Sequence, residues 1–431
     1  MADALPQEAG ERSLWIDSAV SAPGCDSLAD SLSSDVLVVG AGFTGLSTAL
    51  HLAERGVSVT LLEAGGVGHG GSGRNAGLVN AGIWKDPEHV ATILGAEKAE
   101  RFNLALRDSP AVVFELVERL GLDCQATRTG TIHIAHSRAG FDYLENRCRQ
   151  LSDLGAEVEL IDADESARLS GSPSYVFGGI HHPAAGTIQP LSYVRELARA
   201  AIEVGVGVYE HSALQTLQHR DGRWLATTER GSVDAARVVV ATNAYSDASQ
   251  PGLKQSTLPV YIFQCATPPL SESQLRELIP ERHGLWDTHT LLTSSRIDSQ
   301  GRLVMSFPGR LQDGQRAARQ AWATRRRDLL FPQLRGTPWA FFWTGRVGVT
   351  DSKLFRVQRL APGLYAPAGY NGRGIGTGTV VGRYLAEALA SDDFDRFPFP
   401  VETLYREKFW SARTAYYDYG TLALQICSHR L

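Results

Sequence analysis

The sequence predicts a mixed α/β chain in which a parallel βαβ unit is interleaved with a second, largely antiparallel domain. Three observations predict this. A glycine-rich turn joins an apolar strand to an amphipathic helix near residue 40, a similar turn recurs near residue 370, and the stretch 255–345 between them is strand-like and rich in Trp and Phe. Strand–turn–helix units belong to a parallel sheet, and a long β-rich insertion to a separate layer.

In chain order, residues 1–34 read as a lead-in rich in Ser, Ala and Pro, with Leu14 and Trp15 as a point of docking on the body. Asp35 to Val39 is an apolar strand, followed by Gly40-Ala-Gly42-Phe43-Thr44-Gly45. A helix starts near Thr44, turns Leu46, Ala49, Leu50 and Ala53 to one side and stops at Gly56. The next strand, Val57 to Leu62, ends at Glu63-Ala64. This spacing carries a mechanism. Gly40 permits the tight turn, Gly42 lets the backbone approach a pyrophosphate, Gly45 lets helix and strand pack, and the helix N-terminus faces the phosphates. Glu63 is placed to accept hydrogen bonds from the adenosine ribose, which favours a free 2′-hydroxyl over a 2′-phosphate.

A glycine-rich loop, 65–82, precedes helices from about Glu88 to Leu106 and from Ser109-Pro110 to Gly121, with Ser109 as cap and Pro110 in the first turn. Thr131 to Ala135 is a strand. A second mixed unit follows: a helix over Leu191 to Glu203, a strand at Val206 to Tyr209, a hairpin at Asp221-Gly222 and a strand Arg237 to Ala241 ending in Thr242-Asn243. Helices near 271–279 and 313–330 interrupt the β-rich stretch. Leu364 to Ala368 then runs as a strand into the glycine-dense Gly369 to Gly378, with a helix through Leu389 as the last recognisable element. The expected domains are a cofactor domain of 35–85, 185–250 and 345–392, a substrate domain of 86–184 and 251–344, and a C-terminal extension, 393–431.

Composition narrows the function. The 431 residues are 43% hydrophobic and 21% charged with a net charge of −5, so no electrostatic footprint for nucleic acid is present. Arg325-Arg326-Arg327 reads as a solvated helix face. The five cysteines are scattered and form no CxxC pair, against a disulfide framework or zinc site and in keeping with a cytoplasmic protein. No apolar run approaches membrane-spanning length, and the N-terminus lacks a signal-peptide pattern. His181-His182 has neither a helical partner nor a nearby carboxylate in sequence, so no metal is expected.

Two helix N-termini at opposite ends of the chain call for a ligand with two ends. FAD is long enough: the first turn takes its pyrophosphate, and the second faces the isoalloxazine, where a helix dipole stabilises negative charge. The alternative for the second turn is close packing alone.

The first turn with Glu63, the loop from His69 through Gly71, Ser72, Gly73, Arg74, Asn75, Ala76 and Gly77 to Leu78, the strand end Ala241-Thr242-Asn243, Trp343-Thr-Gly345, and Gly369 to Thr377 together resemble the FAD-dependent D-amino-acid oxidase superfamily. The resemblance spans Asp35 to Leu389. Its bacterial γ-glutamylputrescine oxidoreductases and L-pipecolate oxidases are most similar, and residues 68–82, Leu120 to Gln125 and Trp286-Asp-Thr resemble the L-pipecolate oxidases in particular. The resemblance implies a Rossmann-like FAD-binding domain interleaved with an antiparallel-sheet substrate domain, and a backbone group near Leu214 against the adenine. It extends the cofactor contacts to Gly372, Arg373, Gly374, Ile375, Gly376 and Thr377. No cysteine lies beside the second turn, so non-covalent FAD is expected.

The implied reaction oxidises a secondary amine or amino acid to the imine by hydride transfer to flavin N5, with O₂ or a quinone as acceptor, and L-pipecolate is the first substrate expected. A γ-glutamylated amine is the alternative, and a non-catalytic FAD protein the reading from another class. A substrate carboxylate in a dry pocket calls for Arg. Arg74 is the first candidate, its other role being to shape the loop, and Arg346 and Arg373 also stand to approach the flavin. Related sarcosine oxidases carry a lysine where the glycine spacing puts Gly376. On the strand from Pro259 to Cys265, Tyr261 and Gln264 fall on opposite faces, and Tyr261 is expected to meet the substrate. His69, Trp84 and Trp343 complete the expected surroundings.

Overall fold

A computed structural model describes residues 11–247, 252–312 and 314–427. Two large sheets organise it. In the first, of nine strands, Leu364–Ala368, Ser232–Val240, Ser31–Val39, Val59–Leu62 and Gly207–Tyr209 lie side by side and parallel. Val38 sits opposite Val239 on one side and Leu61 on the other. These Val- and Leu-rich runs are buried, as strands covered on both faces require. Arg356–Ala361 and Val401–Glu402 extend one edge, and the hairpin Thr216–Arg220/Arg223–Thr227 pairs with Ser232–Val240. At its tip Asp221 and Gly222 both have positive φ (+49° and +78°), the conformation of a two-residue hairpin turn.

The second sheet has eight strands in the order Phe341–Val349, Leu258–Ala266, Leu303–Pro308, Ser294–Ile297, Gly284–Asp287, Thr131–Ile134, Gly179–His182, Glu159–Ile161. It is antiparallel except where Gly284–Asp287 runs parallel to Thr131–Ile134. The helices Phe43–Ala53 and Gly374–Ser391, one behind each glycine turn, pack against each other. A Cβ on Gly382 would stand 2.6 Å from Ser47 Cβ, and Ser47 Oγ donates to the Thr379 carbonyl at 2.7 Å. The two turns are thereby held as neighbours.

Several expectations need correction. The first strand begins at Ser31, because Ser31 to Ser34 already pair with Ser232 to Ala235. The helix expected from Glu88 to Leu106 is two, Pro87–Leu94 and Ala96–Arg107, broken at Gly95 with φ +79°. Asp108, not Ser109, occupies the N-cap position of the helix Ser109–Leu120. The helices Arg138–Asp153, Ala163–Ser170 and Trp410–Cys427 were not read from sequence.

The arginine run is not a solvated face. Arg327 is buried against Asp328 and over Trp339, and Arg326 pairs with buried Asp287 at 2.9 Å, leaving Arg325 exposed. His181 has a carboxylate beside it, Glu159 at 3.3 Å, which the sequence placed 22 residues away. Among the described residues no group of three possible ligands could hold a metal, and no helix is long and apolar enough to cross a membrane.

Candidate functional site

The strand Ser31–Val39 delivers the chain to Gly40 with φ +108°, and Ala41 donates to Glu63 Oε2 at 2.8 Å. Gly45 is obligatory here: a Cβ on it would stand 1.9 Å from the Gly40 carbonyl oxygen. Gly65 donates to Glu63 Oε1 at 2.9 Å. Burial lifts the Glu63 carboxyl above its usual range, while the Gly65, Ala41 and Ala64 amides pull the other way. Three amide donors leave the carboxylate one lone pair for a ribose hydroxyl.

The loop 65–82 folds back over this turn. Ser72 Oγ accepts from the Phe43 amide at 3.1 Å, docking the loop on the helix N-terminus. Asn75 ties the loop to itself through the carbonyls of Gly71 (3.0 Å) and Ser72 (2.8 Å) and the amide of Gly77 (2.8 Å). Its own carbonyl accepts from the indole of buried Trp15 at 2.7 Å. The lead-in therefore does dock through Leu14 and Trp15, both fully buried.

From the other side, Asn243 Oδ1 accepts from the Gly369 amide at 2.9 Å, which binds the strand end Ala241-Thr242-Asn243 to the second turn. The second turn passes through Gly372 with φ +90° into the helix Gly374–Ser391. Thr44 Oγ1 donates to Tyr370 Oη at 2.8 Å, joining the two turns directly.

One cavity of about 580 Å³ runs between them. Gly40, Gly42, Phe43, Thr44, Glu63, Ala64, His69, Gly71, Ser72, Arg74, Asn75, Ala76, Leu78, Leu214, Ala241, Thr242, Asn243, Gly345, Arg346, Gly372, Gly374 and Ile375 all line it. Of the other predicted positions, Gly45 and Gly73 are packed on backbone carbonyls, those of Gly40 and Gly68. Gly77 lies against Ile188 and Arg296, Gly376 against Ser109 and Asn80, and Thr377 Oγ1 donates to the Gly82 carbonyl at 3.5 Å. Trp343 is a buried prop whose indole donates to the Arg74 carbonyl at 3.2 Å. Arg373 lies behind the wall, over Trp84 and Trp286.

Tyr261 is displaced from its expected role. Val260, Ile262 and Gln264 face the cavity, while Tyr261 lies under the Arg310 guanidinium, 4.8 Å from its ring centre. The two-residue period separated Tyr261 from Gln264 correctly, and the inward face is the Gln264 one. Arg74 is also reassigned. Its guanidinium donates to the carbonyls of His69 (3.0 Å) and Thr344 (3.1 Å) and lies 3.5 Å from buried Glu11, so it secures the loop rather than waiting for a substrate carboxylate. Arg74→Ala is therefore expected to cost about 1–3 kcal/mol of stability by taking the donor from the His69 and Thr344 carbonyls, and to shift KM for carboxylated and neutral amines alike. Thermal denaturation and a substrate pair check it, and a rise in KM confined to the carboxylated amine restores the original role.

Arg346 reaches the cavity beside Tyr245, its guanidinium 4.2 Å from the ring centre and its carbonyl next to Gly71. Trp84, expected as an aromatic wall, lines the cavity together with Trp286. Asn80, Tyr245, Thr290, Leu292 and, from the C-terminal helix, Tyr417 were missed. No local pattern marks them, because each reaches the cavity through tertiary packing.

The residues present suit FAD. Oε1 of Gln264, Oδ1 of Asn80 and Nδ1 of His69 are buried with no hydrogen-bond partner among the described residues, and all three residues line the cavity. Such orphaned groups mark where a ligand completes the bonding. Burial, reinforced by Arg74, pushes the His69 imidazole down to about 4, so it is neutral at neutral pH.

His182, wholly buried below the site, is pushed down to about 3 by burial and then by Arg373 and Arg147. Its folded pKa is depressed, so the unfolded chain binds the extra proton. Its contribution to stability is complete above about pH 6.5 and is lost as pH falls towards 3. Stability is expected to fall by about 1.4 kcal/mol per pH unit for each histidine so buried. Denaturant midpoints from pH 7 to pH 4 measure this, and His182→Gln is expected to flatten the slope.

Three comparisons bear on this geometry. The family model described as DAO, FAD dependent oxidoreductase, matches residues 35–388. γ-Glutamylputrescine oxidoreductase of Escherichia coli strain K12 is 33% identical over 405 residues, covering 91% of this chain and 94% of that protein. Glycine oxidase of Geobacillus kaustophilus is 23% identical over 85% of this chain and 96% of its own. Its crystal structure superposes with a TM-score of 0.69 at 22% identity, covering 88% of this chain and all of that one. L-Amino acid deaminase from Proteus myxofaciens gives 0.72 at 18% identity, over 87% and 94% of the two chains.

Proposed function

The chain belongs to the DAO family of FAD dependent oxidoreductases, and from that premise we propose that it oxidises a secondary amine or amino acid to the imine, with O₂ as electron acceptor. FAD is its cofactor, and it acts on amine-type substrates. The observation that supports the reading best is the convergence of two distant glycine turns on one cavity bordered by orphaned polar atoms.

Bound FAD supplies a hydride acceptor. The chain's own work is positioning. The helix N-termini at Gly42–Phe43 and Gly374 present backbone amides to an anionic ligand, Glu63 holds a ribose, and the inward strand residues Val260, Ile262 and Gln264 form one wall. Arg346, beside Gly71 on the first-turn side, is assigned to the phosphate end rather than to the substrate. Among the described residues the histidine that lines the cavity is His69, which is held neutral. The substrate is therefore to enter with its nitrogen lone pair already free, and rate to depend on alignment.

Of the two substrate classes, we place a γ-glutamylated amine first, supported by similarity to the E. coli oxidoreductase along nearly the whole chain. L-Pipecolate is second, supported by the loop motif 68–82. Steady-state H₂O₂ production from γ-glutamylputrescine, L-pipecolate, L-proline and sarcosine tests this. The expected result is a kcat/KM for γ-glutamylputrescine about tenfold or more above the others, as a built polar pocket discriminates. Preference for L-pipecolate reverses the order, and no turnover of any of the four contradicts both choices.

A further inference from the structure

The C-terminal helix Trp410–Cys427 brings Tyr417 to the cavity from beyond residues 35–388, the span of the family model. The helix is fastened on both sides of that residue. The Trp410 indole donates to the Thr257 carbonyl at 2.8 Å, and Gln425 Nε2 donates to the Pro308 carbonyl at 2.8 Å. Fully buried Arg319 donates to Gln425 Oε1 (2.7 Å) and to the Asp418 carbonyl (3.1 Å). Tyr417 is therefore a fixed part of the wall.

Lys353, which also lines the cavity, holds its Nζ 5.7 Å from the centre of the Tyr417 ring. Its φ is +60°, a backbone conformation that residues with a Cβ rarely adopt and that persists where the surroundings impose it. Here the surroundings do. The Thr350 amide donates to Asn371 Oδ1 at 2.9 Å, Thr350 Oγ1 to the Leu354 carbonyl at 2.6 Å, and the Lys353 amide to the Thr350 carbonyl at 3.3 Å. The ammonium is thus presented on the second-turn side of the cavity, tied to Asn371, while Arg346 stands beside Gly71 on the first-turn side.

The anions of these elements are already matched. Asp351 is held by Arg356 (3.1 Å) and the Tyr405 hydroxyl (2.7 Å), Glu407 by Arg413 (2.7 Å), and Asp418 by Arg319 (3.4 Å). Among the described residues no carboxylate forms an ion pair with Lys353. An ammonium over an aromatic face is steadied there and keeps its N–H donors for an acceptor. It repels a protonated amine, so it suits the end of a substrate that does not react. Sarcosine and L-pipecolate carry their carboxylate on a carbon bonded to the nitrogen and have no second end to place there.

We propose that Lys353, steadied by the Tyr417 ring, binds a carboxylate at the end of the substrate remote from the reacting amine. The assignment rests on the amine-oxidation reading and deepens it: the substrate class is an acylated amine whose acyl group ends in a carboxylate, as a γ-glutamyl group does.

The test follows anaerobic reduction of the FAD-loaded protein by N-glutarylputrescine and by N-pentanoylputrescine, amides of equal length that end in a carboxylate and in a methyl group. In the wild type, Kd for the glutaryl compound is expected to be about tenfold or more below that for the pentanoyl compound, the margin of a hydrogen bond to a charged group, with similar limiting rates of flavin reduction. Lys353→Met is expected to lose that margin through the glutaryl Kd alone, and Lys353→Arg to keep part of it. A wild-type margin in Lys353→Met, no margin in the wild type, or equal weakening of both compounds overturns the proposal. If Lys353→Met folds poorly, Lys353→Asn takes its place under the same outcomes, since Asn tolerates the left-handed backbone. Failure of both compounds to bleach the wild-type flavin contradicts the underlying reading and the proposal with it.

Discussion

Gly45→Ala is expected to purify without flavin. The added Cβ would stand 1.9 Å from the carbonyl oxygen of Gly40, a backbone atom that yields only if the first turn opens. Opening it moves the helix N-terminus away from the phosphates and pulls Ala41 from Glu63. Overpacking of this kind costs on the order of 1–3 kcal/mol, about tenfold to hundredfold in FAD affinity. Gly420→Ala is the control, since its Cβ meets nothing nearer than 3.8 Å on the C-terminal helix. Flavin content after purification, and Kd from a fluorescence titration of the apoprotein, measure the effect. Full flavin occupancy in Gly45→Ala would mean that the turn does not hold the pyrophosphate.

The second large effect is on stability. Trp15 is fully buried, meets Trp343 edge-on with ring centres 5.6 Å apart, and donates to the Asn75 carbonyl. Trp15→Ala is expected to cost about 3–5 kcal/mol through the lost volume, with about 1–3 kcal/mol more for the stranded carbonyl. Because Asn75 knots the loop whose Ser72 docks on the first helix, the loss also loosens the FAD site. Trp15→Phe keeps most of the packing and is expected to recover most of the stability. Urea midpoints at saturating FAD compare the three proteins, and a wild-type midpoint in Trp15→Ala would show that the lead-in is not part of the fold.

Much of this site was legible because its determinants are local. Gly40, Gly42, Gly45 and Glu63 occupy one βαβ unit, where spacing along the chain fixes spacing in space. The second turn was legible for the same reason, and its meeting with the first followed from the length of the ligand both would share. Long-range determinants were not legible. Period two divides Tyr261 from Gln264 but does not say which face the other sheet covers. The residue type of Arg74 announces a carboxylate partner, yet that partner is Glu11, 63 residues earlier, with the His69 and Thr344 carbonyls beside it. The same arithmetic hid Arg326 and Arg327, which look solvated in sequence and are paired or buried through Asp287, Asp328 and Trp339.

The central claim is that two turns from opposite ends of the chain hold one FAD for amine oxidation, and anaerobic absorbance spectroscopy of the purified protein tests it most directly. The account predicts a yellow protein whose flavin band is lost on mixing with γ-glutamylputrescine or L-pipecolate and returns when air is admitted. A colourless protein that takes up no added FAD, or a yellow one that no amine bleaches, would contradict it.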